Sequence, residues 1–200
     1  MKKLKTPLLV LFAFASPLLL AAAAYGLSDQ FQGKIYAVGT LKPVDSATSL
    51  KVGDKAPDFS LPSLSGEALA LSRFFGNKNV VVSFLPAAWT PVCSEQWPGY
   101  NIMKSLFDEN DAILLGVTVD NLPTLFAWTE QMGGVWFPVL SDFWPHGQVA
   151  SKYGVLRSNG TSERALFLID KQGIIRYIDV HDINERPNLE NLARELEKLK

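Results

Sequence analysis

The chain has 200 residues, 48% of them hydrophobic and 20% charged, with a formal net charge of −1. That is enough for one globular domain with a sizeable core and too little for two large ones. With no Lys/Arg run beyond residue 5, the electrostatic footprint of a nucleic-acid binder is missing, and small molecules or proteins are the expected partners.

Lys2, Lys3 and Lys5 precede an apolar run at 7–24, interrupted only by Ser16 and Pro17. Residues 1–26 thus resemble a secretory signal peptide, with small residues at 21–24 for cleavage, or an uncleaved membrane anchor, since the run approaches the roughly 18 residues such an anchor needs. A buried core helix is the bland alternative, opposed by the absence of an amphipathic stripe. Either favoured reading keeps the lysines cytoplasmic and sends the remainder across the membrane, so the expected location is extracytoplasmic. Residues 27–50 mix Gly, Ser, Thr, Asp and Lys and read as a linker with one short strand at 35–38. The domain is expected over 51–200.

Around Pro57 and Pro62 an edge strand running into a turn is predicted. VVVSFL at 80–85 is a continuous β-branched and aromatic run, typical of a strand buried on both faces. A helix is predicted over 94–108, with Pro98 expected to kink or interrupt its first turns. AILLGVTV at 112–119 is a second buried strand, completing a βαβ unit with parallel pairing. A helix over 122–132 stops at Gly133-Gly134, FPVLSD at 137–142 supplies a short strand, and 148–153 a short helix. RALFLID at 164–170 and IIRYIDV at 174–180 flank Lys171-Gln172-Gly173 as a β-hairpin, and an amphipathic helix over 189–199 closes the chain. The order implies an α/β fold, a central sheet flanked by helices.

Cys93 is the single cysteine in the sequence, so an internal disulfide is excluded. It follows a strand directly, at the predicted start of a helix, where unpaired N–H groups and the positive end of the helix dipole favour a thiolate. An inert buried thiol is the competing reading. His146 and His181 stand far apart, with no second cysteine and no HExxH, and make no metal site; no cofactor motif is present either. Trp136 and Trp144 are candidates for a pocket wall or an oligomer surface. Asn159-Gly160-Thr161 is first of all a turn signal and also fits a glycosylation sequon.

Pro86, Thr90 and Cys93 form P-x-x-x-T-x-x-C, which resembles the active-site signature of the peroxiredoxins, thiol peroxidases on a thioredoxin-like fold with a central mixed β-sheet. Gln96, FPVLSD, Tyr153-Gly154-Val155 and Arg164 opening R-x-x-F-x-I-D extend the likeness from Val52 to the end. The resemblance implies that Cys93 attacks the peroxide O–O bond, that Arg164 holds thiolate and departing oxygen, and that Thr90 offers its hydroxyl to substrate. Pro86 would shield the sulfur, the N–H groups of Val92 and Cys93 would complete a polar cradle, Gln96 would orient Arg164, and Trp89 would wall the pocket. Thr90 has a bland role too, capping the helix, and Arg164 could be a surface arginine paired with Glu163.

Lacking a resolving cysteine, the enzyme so implied is of the 1-Cys kind, cycling between thiolate and sulfenic acid. An external thiol, thioredoxin-like, glutaredoxin-like or of low molecular weight, would regenerate it, and homodimerisation stays open. WTPVC also resembles the thioredoxin W-C-x-x-C motif with Thr90 in place of its first cysteine. The runner-up is therefore an extracytoplasmic thioredoxin-like thiol or binding protein without peroxidase activity; Pro86 and Arg164 discriminate, being needed only for the peroxidase.

Overall fold

A computed structural model describes residues 31–199. The expected signal or anchor, 1–26, lies outside the described residues, and no helix among those described is long and apolar enough to cross a membrane.

Two short strands, β1 (Ser60–Pro62) and β2 (Ala68–Ala70), pair antiparallel. The central sheet is built from β3 (Asn79–Phe84), β4 (Ala112–Thr118), β5 (Val139–Ser141), β6 (Arg164–Ile169) and β7 (Ile175–His181), in the order β5-β4-β3-β6-β7. β3, β4 and β5 run parallel, whereas β6 is antiparallel to both β3 and β7. This is the mixed sheet expected from the sequence.

Strand alternation explains why the central runs read as continuously apolar. Val81, Leu114, Leu166 and Leu168 face one core, closed by residues of α1 (Pro91–Asn101), α2 (Lys104–Glu109), α3 (Leu122–Gln131) and α5 (Leu189–Glu197). Val80, Val82, Phe84, Leu115, Phe167 and Ile169 face a second core, covered by Leu61 of β1, Leu71 and α4 (Gln148–Lys152). Every residue of β3 and β6 is buried, and full burial of one such apolar side chain contributes roughly 1.5–3 kcal/mol.

Pro98 does not break its helix. It removes one backbone donor, while Trp97 and Tyr100 beside it are fully buried and hold the turn in place. The interruption comes later, at Ile102 and Met103, between α1 and α2.

The expected linker is corrected as well. Phe31 is buried in the first core, Asp45 and Ser46 donate their N–H groups to Glu163 Oε1 at 2.6 and 2.7 Å, and the Lys42 carbonyl accepts from Arg157 Nη2 at 2.7 Å. Residues 31–46 form a strap fastened along the domain, with no strand at 35–38. A Gly/Ser/Thr-rich composition leaves the backbone free to follow such a path, but the partners that fix it are distant in sequence.

One glycine is required by close approach. A Cβ on Gly116 of β4 would stand 2.6 Å from Trp97 Cζ2 and 3.1 Å from Phe137 Cε2. Gly116→Ala is expected to lower stability by about 1–3 kcal/mol through overpacking, read as a lower urea midpoint with an unchanged denaturant slope.

Candidate active site

Thr90, with extended backbone, precedes α1; Pro91 occupies its first turn, where the missing N–H is no loss, and Cys93 follows two positions on. The Cys93 thiol is fully buried. Because β3 and β6 are antiparallel, the end of β3 that leads into α1 lies beside the start of β6, where Arg164 stands on the same face as Leu166 and Leu168.

Arg164 is 1% exposed, and its Nη2 donates to Cys93 Sγ at 3.4 Å. Nη1 donates to Gln96 Oε1, while Nε and Nη2 donate to the Ile183 carbonyl at 3.3 and 3.0 Å. Gln96, one turn beyond Cys93, donates in turn to the Tyr100 hydroxyl at 2.8 Å. Burial pushes the Tyr100 phenol above its ordinary value, against hydrogen bonds with Gln96 and Ser83, so it stays protonated. The guanidinium is thereby fixed on its far side and presents its remaining donor capacity to the sulfur.

A cleft of about 570 Å³ opens over the thiol, lined by Pro86, Ala87, Thr90, Val92, Cys93 and Arg164 together with Asn159, Thr161, Ile183 and Asn184. Pro86 is buried and lines the same cleft as Cys93. Thr90 is the residue before the helix, but its side chain caps no helical N–H; the hydroxyl donates to the Ala87 carbonyl at 2.9 Å. That corrects the capping role and leaves the oxygen's acceptor positions unused by the helix.

Trp89 requires correction too. It is absent from the cleft lining and packs edge-on against Phe31, ring centroids 6.1 Å apart, with φ at +60°. A left-handed non-glycine residue costs roughly 1–2 kcal/mol, offset here by that stacking and by the Trp89 carbonyl accepting from Tyr36 N–H at 2.8 Å. Trp136 donates to the Tyr100 carbonyl inside the first core, and Trp144 is exposed away from the cleft.

Arg164 is no surface residue, and Glu163 pairs elsewhere, with buried Arg157. Asn159-Gly160-Thr161 forms a turn, Gly160 having φ +83°, and its flanking residues reach the cleft. Sequence reading assigns Asn159 and Thr161 to a turn and sequon, not to the cleft lining, and misses Ile183, Asn184 and the strap residues, none of which carries a motif.

A buried thiol at a helix start, beside a fixed guanidinium on the same face of a mixed sheet, defines a thiol redox protein on a thioredoxin-like scaffold, with a cation placed to stabilise negative charge on sulfur. Comparison narrows the class. Residues 52–178 match the AhpC/TSA family, and the chain belongs to that family of peroxiredoxins. Similar proteins include alkyl hydroperoxide reductase E of Mycobacterium tuberculosis, 36% identical over 137 residues, 68% of this chain and 89% of that one. The chloroplastic 2-cysteine peroxiredoxin of Chattonella marina var. antiqua is 31% identical over 160 residues, covering 76% and 81%. Among solved structures, the reduced 2-Cys peroxiredoxin of Plasmodium vivax superposes with a TM-score of 0.68 at 27% identity, over 74% of this chain and 81% of its own.

Proposed function

We propose that this peroxidase oxidoreductase is a thiol peroxidase working through one cysteine, supported above all by the 3.4 Å approach of Arg164 Nη2 to Cys93 Sγ at the floor of the cleft. The Cys93 thiolate attacks one peroxide oxygen; an S–O bond forms, the O–O bond breaks, and the departing oxygen takes a proton and leaves as water or alcohol. Sulfur is oxidised to sulfenic acid and the peroxide is reduced. Arg164 stabilises the charge that develops on the leaving oxygen, a transition-state interaction rather than mere substrate binding.

Some relatives, the Chattonella and Plasmodium vivax proteins among them, are named for two cysteines, whereas this sequence has one. The second half of the cycle then falls to an external thiol: one molecule displaces water from the sulfenic acid to give a mixed disulfide, and a second releases the Cys93 thiolate and a disulfide product. A thioredoxin-like or glutaredoxin-like protein or a small thiol fits this chemistry. The lysines and apolar run of residues 1–26 support an extracytoplasmic setting, by secretion or by a membrane tether.

Incubating the protein with one equivalent of hydrogen peroxide and trapping with dimedone should give a Cys93 adduct detected by mass spectrometry. Peroxide consumption no faster than by free cysteine would overturn the reading and favour a thioredoxin-like binding protein.

A further inference from the structure

The family match begins at residue 52, yet one side of the cleft over Cys93 is made of residues 36–41. These residues come from the strap, and they are held at both ends. Tyr36 N–H donates to the Trp89 carbonyl at 2.8 Å, next to Thr90. Leu41 is gripped twice by Asn184, its N–H donating to Oδ1 at 2.8 Å and its carbonyl accepting from Nδ2 at 2.9 Å. Two residues on, the Pro43 carbonyl accepts from Ile183 N–H at 3.0 Å, and the Ile183 carbonyl in turn holds Arg164. The strap is thus joined to the residues that position the guanidinium, not laid loosely over them.

The lining is divided by chemistry. Arg164 stands at the sulfur, 3.4 Å from it, and Thr90, Asn159, Thr161 and Asn184 add polar lining, whereas the strap contributes Tyr36, Ala37, Val38 and Leu41, along with Gly39 and Thr40, to the same cleft as Pro86, Ala87 and Val92. A volume of about 570 Å³ far exceeds what hydrogen peroxide fills and lies in the range of sites for organic ligands. A cleft that combines a buried guanidinium at the thiol with the apolar side chains of the strap suits a molecule with one oxygen-rich end and one hydrocarbon end.

We infer that residues 36–41 are a specificity-determining wall of the peroxide site, with Val38 among its apolar side chains. The wall seats the organic group of an alkyl or aryl hydroperoxide while Cys93 and Arg164 take the O–O end. This rests on the peroxidase reading above, so its test needs one arm that works without turnover.

In the first arm, kcat/KM is measured for cumene hydroperoxide and for hydrogen peroxide with wild type, Val38→Asp and the milder Val38→Ser, each checked by circular dichroism. The expected result is a preference for cumene hydroperoxide that falls about tenfold in Val38→Asp, the scale of losing a few apolar contacts in a binding site. In the second arm, 2-phenyl-2-propanol, the alcohol that cumene hydroperoxide leaves behind, is tested for its ability to slow alkylation of Cys93 by iodoacetamide. Protection in wild type that weakens in both variants supports the wall. Equal ratios and equal protection in all three proteins overturn it. If neither peroxide is consumed, the peroxidase reading fails, while the alcohol arm still decides whether residues 36–41 form an apolar seat.

Discussion

Replacing Arg164 with methionine is expected to lower the second-order rate constant for peroxide by about 10²–10³-fold, the usual loss when one preorganised donor to a developing oxyanion is removed. The effect is large because Arg164 is 1% exposed and already fixed by Gln96 and the Ile183 carbonyl, so little reorganisation is needed during reaction. Stopped-flow mixing with hydrogen peroxide, following tryptophan fluorescence, measures it. Arg164→Lys should recover only part of the rate: an ammonium restores the charge but not the planar fork that reaches sulfur, Gln96 and carbonyl together. A variant that reacts as fast as wild type while remaining folded would remove Arg164 from the chemistry.

Glu163→Ala should be the most destabilising single change on the strap side, by about 3–5 kcal/mol, as when one member of a buried ion pair is deleted. Glu163 is fully buried, Arg157 nearly so, and the two are paired. Truncation leaves the guanidinium charge buried and uncompensated, and also strands the N–H groups of Asp45 and Ser46. Urea unfolding followed by circular dichroism should show the loss. Glu163→Gln should lose less because an amide oxygen still accepts from the strap. The joint replacement Arg157→Met with Glu163→Leu should recover part of the stability, since it removes both charges rather than orphaning one. A single Glu163→Ala variant as stable as wild type would mean that the pair does not hold this region.

The fold was legible where burial and chain pattern coincide. The runs at 80–85, 112–119 and 164–170 are apolar at successive positions because both faces of the central strands are covered, and they emerge as β3, β4 and β6. Pro98 misled because proline's local penalty was weighed without the fully buried Trp97 and Tyr100 that oppose it. The strap misled for the opposite reason: its composition describes a free segment, whereas its fastenings are Asn184, Glu163 and Ser158, each more than a hundred positions away along the chain.

The site divides in the same manner. Pro86, Cys93, Arg164 and Gln96 were readable from motif spacing, and the structure brings them to one place. The roles of Thr90 and Trp89 depended on where a hydroxyl and an indole turn, which spacing does not encode. The Ile183 carbonyl and the amide of Asn184 act through geometry that any residue with the same backbone path, or any well-placed amide, could supply. No residue-type signal marks them.

The antiparallel pairing of β3 with β6 also ties the site to a contact between distant parts of the chain. Cys93 and Arg164 are 71 positions apart and meet only when Val80–Ile169 through Phe84–Ala165 are in register. Contacts of such sequence separation close late, because loop entropy must be overcome before they form. A chain with only its parallel β3–β4 half formed would carry Cys93 without Arg164 beside it. On the mechanism proposed above, fast reaction with peroxide would then require β6 to be in register beside β3, not merely the presence of the cysteine.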